Sequence, residues 1–330
     1  MNKNFDVVAL GELLIDFTMN GFSNQGNFLF EANPGGAPCN VLSMLTNLQK
    51  KTAFIGKVGN DFLGKHLKNV VENIGINTDN LILDDNTNTT LAFVHTSKDG
   101  DRDFSFYRNP GADMMLNEND IIESIIASSK IFHFGSLSMT HECNRNATKK
   151  ALNIAKNNDC LISFDPNLRE PLWNNLEIAK QQIIYGISQC DILKISDNEV
   201  QWLINENNLD LGIQKIKNIK DIPLILLSMG KNGSRAYYKN TCTEVSTFLD
   251  VKTIETTGAG DTFCACILNY ILEHSLNNLT KQDIIQMLTF ANSASSLITT
   301  KKGALCVMPS KNDIDSLIQT YKTSVTYKII

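Results

Sequence analysis

The motifs that most often announce a nucleotide or metal site are missing from this sequence. Each Gly-Lys pair, at 56–57, 64–65 and 230–231, is followed by a residue other than Ser or Thr, so there is no Walker A loop. No Gly-x-Gly-x-x-Gly follows the first strand candidate, and no Gly-x-Ser-x-Gly elbow occurs. The eight cysteines (39, 143, 160, 190, 242, 264, 266 and 306) form no Cys-x-x-Cys, and the histidines form no His-x-x-x-His, which argues against structural zinc. Long apolar runs are absent, so no membrane-crossing helix is expected. Acids interrupt the apolar start "MNKNFDVVALGELLID", and no signal peptide is read there. Scattered thiols without a leader are expected to be reduced, in a cytoplasmic protein. A net charge of −5, a pI near 5.6 and the lack of a basic patch exclude a nucleic-acid surface.

What is there is an ordinary globular composition: 330 residues, 42% hydrophobic and 20% charged, enough for one large α/β domain or two smaller ones. Short β-branched runs predict strands at 6–11, 52–58, 130–136, 160–165, 191–196 and 223–230. Between them, helical spacing predicts helices at 38–49, 61–73, 143–156, 176–187 and 197–204. This alternation implies a mainly parallel sheet covered by helices on both faces. "SRAYYKN" and "TCTEVST" read as an antiparallel meander, followed by long helices near 261–274 and 281–298. Residues 12–32 and 87–108 carry strand-like pieces with no helix between them, and read as hairpins outside the main sheet.

Within "TIETTGAGDTFCACI", 253–267, Gly258, Ala259 and Gly260 run into Asp261 and then an apolar helix. Small residues let a backbone approach a ligand, and the first N–H groups of a helix bind anions, phosphate above all. The segment reads equally as a tight turn with Asp261 capping the helix. Without a Walker loop, it is the best candidate for phosphate. An acid beside an anion hole suits phosphoryl transfer to an alcohol, with the carboxylate taking the hydroxyl proton late. The helix N-terminus is expected to lower the pKa of Asp261.

Other segments offer companions. "NPGGAPCN", 33–40, gives the flexible pair Gly35-Gly36, a proline suited to a first helical turn, and Asn40 as donor and acceptor; it also reads as a plain strand-to-helix turn. Asp16 in "GELLIDF" is placed to take two sugar hydroxyls, or to face solvent in alternation. Arg108 in "FSFYRNPGAD" stands beside aromatics as a sugar wall or an exposed hairpin edge. Arg169 follows "SFDPNL", a polar strand end of the kind where open α/β sheets bind ligands. Lys194 and Glu199 flank another strand-to-helix turn, and Glu199 reads equally as a first-turn acid.

In this order the segments "GELLIDF", "NPGGAPCN", "FIGKVGNDFLG", "FSFYRNPGAD", "IFHFGSLSMT", "DPNLREPLW", "DILKISDNE" and "ETTGAGDTF" closely resemble the ribokinase-like (PfkB) carbohydrate kinases, and among them the bacterial fructokinases, over about residues 5–320. The resemblance implies a single domain, 1–330, with a three-layer α/β/α core, a mainly parallel central sheet and a small β-sheet lid made by about 12–34 and 87–110. Such lids often serve in homodimers. It implies transfer of the γ-phosphoryl group of ATP, carried with Mg²⁺, to the primary hydroxyl of fructose. It assigns Asp261 as base and Gly258, Ala259 and Gly260 as anion hole. Asp16, Gly35, Gly36 and Asn40 hold the sugar, with Arg108 and Arg169 closing its far side. Lys194, Glu199, Ser228, Gly230, Gly233 and Asn292 fall on nucleotide positions, Glu199 acting on Mg²⁺ through water. The family usually has Asp where this chain has Glu255; with carbonyls near Thr257 and Gly303 that position commonly binds an activating monovalent cation, K⁺. The longer side chain is expected to weaken or alter that dependence. A riboside or 2-keto-3-deoxygluconate kinase of the same fold, a non-catalytic sugar sensor and a nicotinamide dehydrogenase are the alternatives. The intact Asp261 argues against the sensor and the missing Gly-x-Gly-x-x-Gly against the dehydrogenase.

Overall fold

A computed structural model describes residues 3–96, 102–249, 251–321 and 326–329. Its strands are β1 Phe5–Leu10, β2 Leu14–Phe22, β3 Phe28–Gly35, β4 Thr52–Gly59, β5 Asn77–Asp84, β6 Leu91–Thr96, β7 Arg102–Tyr107, β8 Ser129–Gly135, β9 Leu161–Asp165, β10 Ile192–Ser196, β11 Leu224–Ser228, β12 Ser234–Tyr238, β13 Thr241–Val245 and β14 Tyr327–Ile329. Its helices are α1 Ala37–Asn47, α2 Phe62–Ile74, α3 Glu123–Ala127, α4 Glu142–Asn157, α5 Leu176–Gln189, α6 Asp197–Ile204, α7 Leu209–Lys217, α8 Ala259–His274, α9 Lys281–Ile298 and α10 Lys311–Thr320.

Among the described residues, ten strands form one sheet in the order β14-β13-β12-β11-β10-β9-β8-β1-β4-β5. It is parallel from β11 through to β5, with an antiparallel margin of β12, β13 and β14. Side chains alternate between two cores, as the strand period of two requires. Val7 and Ala9 join Leu42, Phe263 and Met287 on one face, while Val8 and Leu10 join Leu152, Ile183 and Val200 on the other. The result is the three-layer ribokinase-like architecture. Among the described residues no helix is long and apolar enough to cross a membrane.

The two regions without helices form a separate four-stranded sheet, β3-β2-β6-β7. β2 and β3 make one hairpin, β6 and β7 the other, and the hairpins join through parallel β2–β6 pairing. Residues 97–101, between β6 and β7 in the sequence, lie outside the described residues. In β2, Phe17 stacks on Phe93 at 4.9 Å on one face, so its neighbours Asp16 and Thr18 turn to the other, toward the carboxyl ends of the main strands.

Candidate active site

"TTGAGD" builds a bare helix N-terminus. Gly258 caps α8 at φ 77° without a side-chain hydrogen bond. A Cβ there would meet the Cβ of Ala304 at 2.6 Å, in a backbone region that side chains rarely adopt. Ala259 N–H turns back to Thr256 O at 3.3 Å, while the N–H groups of Gly260 and Asp261 take no backbone carbonyl among the described residues. These donors face two cavities. One, of about 250 Å³, lies under the small sheet, and the other, of about 430 Å³, lies between the end of β11, Thr247, Phe248 and Leu249 after β13, and α9. Gly260 and Thr256 border both.

The first cavity gathers residues far apart in the chain. Asp16, Gly35, Gly36, Asn40 and Arg169 line it, and so do Lys194 and Asp261. Two glycines here have a physical reason. A Cβ on Gly35 would sit 2.4 Å from Asp16 Oδ2, and Gly36 has φ 131° with its missing Cβ 2.3 Å from Glu12 O. The second cavity is lined by Ser228, Gly230, Gly233 and Asn292, with Lys231. The Asn292 amide is itself tied down. Its Oδ1 accepts from Ser234 Oγ at 2.9 Å, and its Nδ2 donates to Val245 O and Ser246 O at 3.1 Å.

Asp261 is buried, and Asn40 Nδ2 donates to its Oδ2 at 2.8 Å. Burial raises its pKa, outweighing the Asn40 hydrogen bond and the charges of Lys194 and Arg169. This corrects the expectation of a lowered value: desolvation outweighs the groups that favour the charged carboxylate. Burial likewise pushes Asp16 up to about 7, with Arg169 opposing and Glu255 adding to the rise. Lys194 Nζ lies 3.1 Å from Asp165, and a Cβ on Gly260 would come within 3.1 Å of the same nitrogen. Burial alone would lower the Lys194 pKa, but Asp165, Glu199 and Asp261 around it hold it above its usual range, so the ammonium stays charged beside the glycine loop.

Arg108 is not among the residues that line the first cavity. Its Nε and Nη2 donate to Asp113 Oδ2 at 2.8 and 2.6 Å, Nη1 to Thr140 Oγ1 at 3.0 Å, and Nη2 also to Leu137 O at 3.1 Å. Thr90 Oγ1 donates to the same carboxylate at 2.5 Å, so Asp113 ties the start of β6 to the end of β7. Arg108 supports the cavity wall from behind, through Leu137. Glu199 is likewise engaged. Its Oε2 accepts from the Ser196 N–H and hydroxyl at 2.8 Å and its Oε1 from Leu168 N–H at 2.8 Å, making it the capping-box acid of α6.

Glu255, Thr257 and Gly303 do come together at the rim of the first cavity. The Thr257 hydroxyl donates to Glu255 Oε1, and Gly303 N–H donates to Oε2 at 3.1 Å.

Sequence reasoning missed Glu12, Asp165, Thr256 and Lys231 as cavity residues. "SFDPN" marks a polar strand end without saying which side chain turns inward. Glu12 stands in the same quoted segment as Asp16, and nothing in its spacing signals that it is only 4% exposed.

The pfkB family carbohydrate kinase profile matches residues 4–311. A probable fructokinase-2 of Arabidopsis thaliana is 39% identical over 306 residues, 92% of this chain and 93% of its own. The crystal structure of a fructokinase from Xylella fastidiosa with bound ATP has a TM-score of 0.88 at 28% identity, covering 96% of this chain and 99% of its own. A fructokinase double mutant from Vibrio cholerae O395, in a form with fructose, ADP and a potassium ion, has a TM-score of 0.84 at 28% identity over 96% of this chain and 99% of its own.

Proposed function

We propose that this chain, which belongs to the pfkB family of carbohydrate kinases, transfers the γ-phosphoryl group of ATP to the primary hydroxyl of D-fructose, giving fructose 6-phosphate. The carrying observation is that Gly260 and Thr256 border both cavities while Asp261 faces the sugar side. A phosphoryl group crossing from one cavity to the other passes the N-terminus of α8. The Gly258–Ala259–Gly260 loop, through the N–H groups of Gly260 and Asp261, and the Lys194 ammonium then stand over its charge, and Asp261 takes the hydroxyl proton. Fructose is held by Asp16, the Gly35–Gly36 backbone, Asn40 and Arg169. ATP lies along Ser228, Gly230 and Gly233, its base toward Asn292. The Vibrio relative, described in a form with fructose and ADP, supports a sugar and an adenine nucleotide as the two ligands.

Magnesium enters as part of the MgATP substrate. Among the described residues no group of three or more His, Cys, Asp or Glu side chains is placed to hold a metal ion. Glu199, with both oxygens engaged, reaches that ion only through water. The cluster at Glu255 fits a monovalent cation poorly, because an N–H and a hydroxyl already donate to its carboxylate.

The small sheet, about 12–34 and 87–110, acts as a lid on one kinase domain. Its outer face carries Phe22, Phe28 and Tyr107, 62%, 63% and 65% exposed, which suits a homodimer built on that face. Eight unpaired cysteines fit a cytoplasmic location.

With Arg108 committed to Asp113, one arginine is left in the sugar cavity, which favours a neutral sugar over a 2-keto-3-deoxy acid gripped by two. The test is ADP release with fructose, ribosides and 2-keto-3-deoxygluconate against a sugar-free control. Fructose no better than the control overturns the reading.

A further inference from the structure

We infer that Glu12 is a positioning residue for Asp261: its carboxyl holds the first N–H of α1, and α1 presents Asn40 to the base. This rests on the reading of Asp261 as base. Glu12 follows β1 and is buried. Its Oε1 accepts from Ala37 N–H at 2.8 Å, from 25 positions upstream. Ala37 opens α1, whose N-cap Gly36 has no side chain to cap it and whose first turn contains no acid. Glu12 therefore supplies the anionic partner that a helix N-terminus favours. Its backbone crowds the same turn, since Glu12 O lies 2.3 Å from where a Gly36 Cβ would be. One turn along, Asn40 N–H donates to Gly36 O at 2.9 Å and Asn40 Nδ2 to Asp261 at 2.8 Å. Two side-chain hydrogen bonds and the first turn of α1 thus connect the Glu12 carboxyl to that of Asp261.

Glu12 and Asp261 also wall a third, small cavity of about 10 Å³, room for about one water, where the buried Ser136 Oγ has no partner among the described residues. Charged and titratable groups face Glu12 from every side. Arg108 and Asp113 stand at the end of the small sheet, His133 and Asp165 on strand ends, Cys39 on α1, and Asp16, Lys194, Arg169, Glu255 and Asp261 around the larger cavity. Burial pushes the Glu12 carboxyl up to about 7, with Asp113 adding and Ala37 and Arg108 opposing. Ionisation near neutral pH then turns the Ala37 contact into a charge-assisted bond. That charge lowers stability: a carboxyl raised in the folded state contributes fully below its ordinary range, and the contribution is lost as pH rises through about 7. A group that costs stability at working pH is expected where function needs it.

The experiment compares wild type with Glu12→Gln, which keeps the acceptor oxygen and removes the charge. With fructose and MgATP, kcat of the variant is expected to match wild type at pH 6 and fall about tenfold at pH 8, with the KM for MgATP unchanged. Its Tm relative to wild type should rise from pH 5 to 8. A variant that tracks wild type in kcat at every pH overturns the inference, and so does a uniform loss with a lower Tm, which marks packing alone. If wild type phosphorylates no sugar, the kinase reading fails instead. The tether is then decided by the Asn40 side-chain amide resonance. A titration near pH 7 that vanishes in Glu12→Gln supports it, and an unchanged titration overturns it.

Discussion

Gly260 and Lys194 stand so close that a methyl group on the glycine would lie 3.1 Å from the lysine Nζ. Gly260 is helical, in the first turn of α8, so alanine suits its backbone. The Lys194 ammonium is pinned to Asp165 and cannot swing far. Gly260→Ala is therefore expected to gain up to about 1 kcal/mol in helix propensity and to lose a comparable amount to the crowded lysine, leaving unfolding stability within about 1 kcal/mol of wild type. Turnover should fall on the order of 10- to 100-fold, because the methyl occupies the passage between the cavities and displaces the cation. Thermal unfolding beside steady-state kinetics checks this; undiminished kcat would remove Gly260 from the transfer path.

Asp261→Asn is expected to lower kcat by about 10²–10⁴-fold with nucleotide affinity nearly intact. Equilibrium binding of ATP beside turnover separates the two, and full activity sinks the assignment of the base. The variant also settles the pH dependence. Asp261 accepts a proton only when ionised, and burial raises its pKa. The acid limb of kcat/KM should thus lie above the ordinary carboxylate range, rising with pH, and should be missing from the residual activity of Asp261→Asn.

The two arginines should separate cleanly. Arg108→Met leaves Asp113 buried without its cation, a loss of about 3–5 kcal/mol in stability. Arg169 is exposed and its guanidinium donates to Leu168 O at 3.1 Å. Arg169→Met should keep the wild-type Tm and raise the KM for sugar, because the charge opposing the Asp16 shift is gone. Denaturant curves and sugar kinetics on both variants test this; the reverse pattern would return Arg108 to the sugar wall.

That contrast also shows what the chain discloses on reading. Strand–helix alternation follows from side-chain period, so the layers are legible, and Lys281–Ile298 is bounded as its spacing predicts. The small sheet is legible because neither of its regions has helical spacing. β5, α7, α10 and β14 are not, since "NTDNLILD" and its like are short and half polar, and tertiary packing decides them. For the site, glycine is the readable signal: Gly35, Gly36 and Gly258 each stand where a Cβ would collide. A charged side chain gives no such signal. Arg108 beside aromatics looks like a ligand contact, but Asp113, five positions on, takes it inward. Glu12 and Asp16 share one segment, and only the fold distinguishes a tether to α1 from a cavity wall.

Glu255 carries the last prediction. The loop before α8 and the turn at 299–303 already meet through hydrogen bonds: Ile254 N–H and Glu255 N–H to Thr299 O at 2.8 and 3.0 Å, and Gly303 N–H to Glu255 Oε2 at 3.1 Å. A cation bridging two such segments would gather oxygens, carbonyls above all. Here the longer glutamate side chain reaches across and takes an N–H and the Thr257 hydroxyl instead. If these hydrogen bonds stand in for an ion's coordination, potassium should matter little to the wild type. In Glu255→Asp the carboxylate falls one methylene short of Gly303, the bridge opens, and activation by potassium over sodium should appear or grow severalfold. Initial rates in matched potassium and sodium salts decide it. Strong potassium activation of the wild type, equal to that of the aspartate variant, would show that the glutamate bridge does not replace the ion.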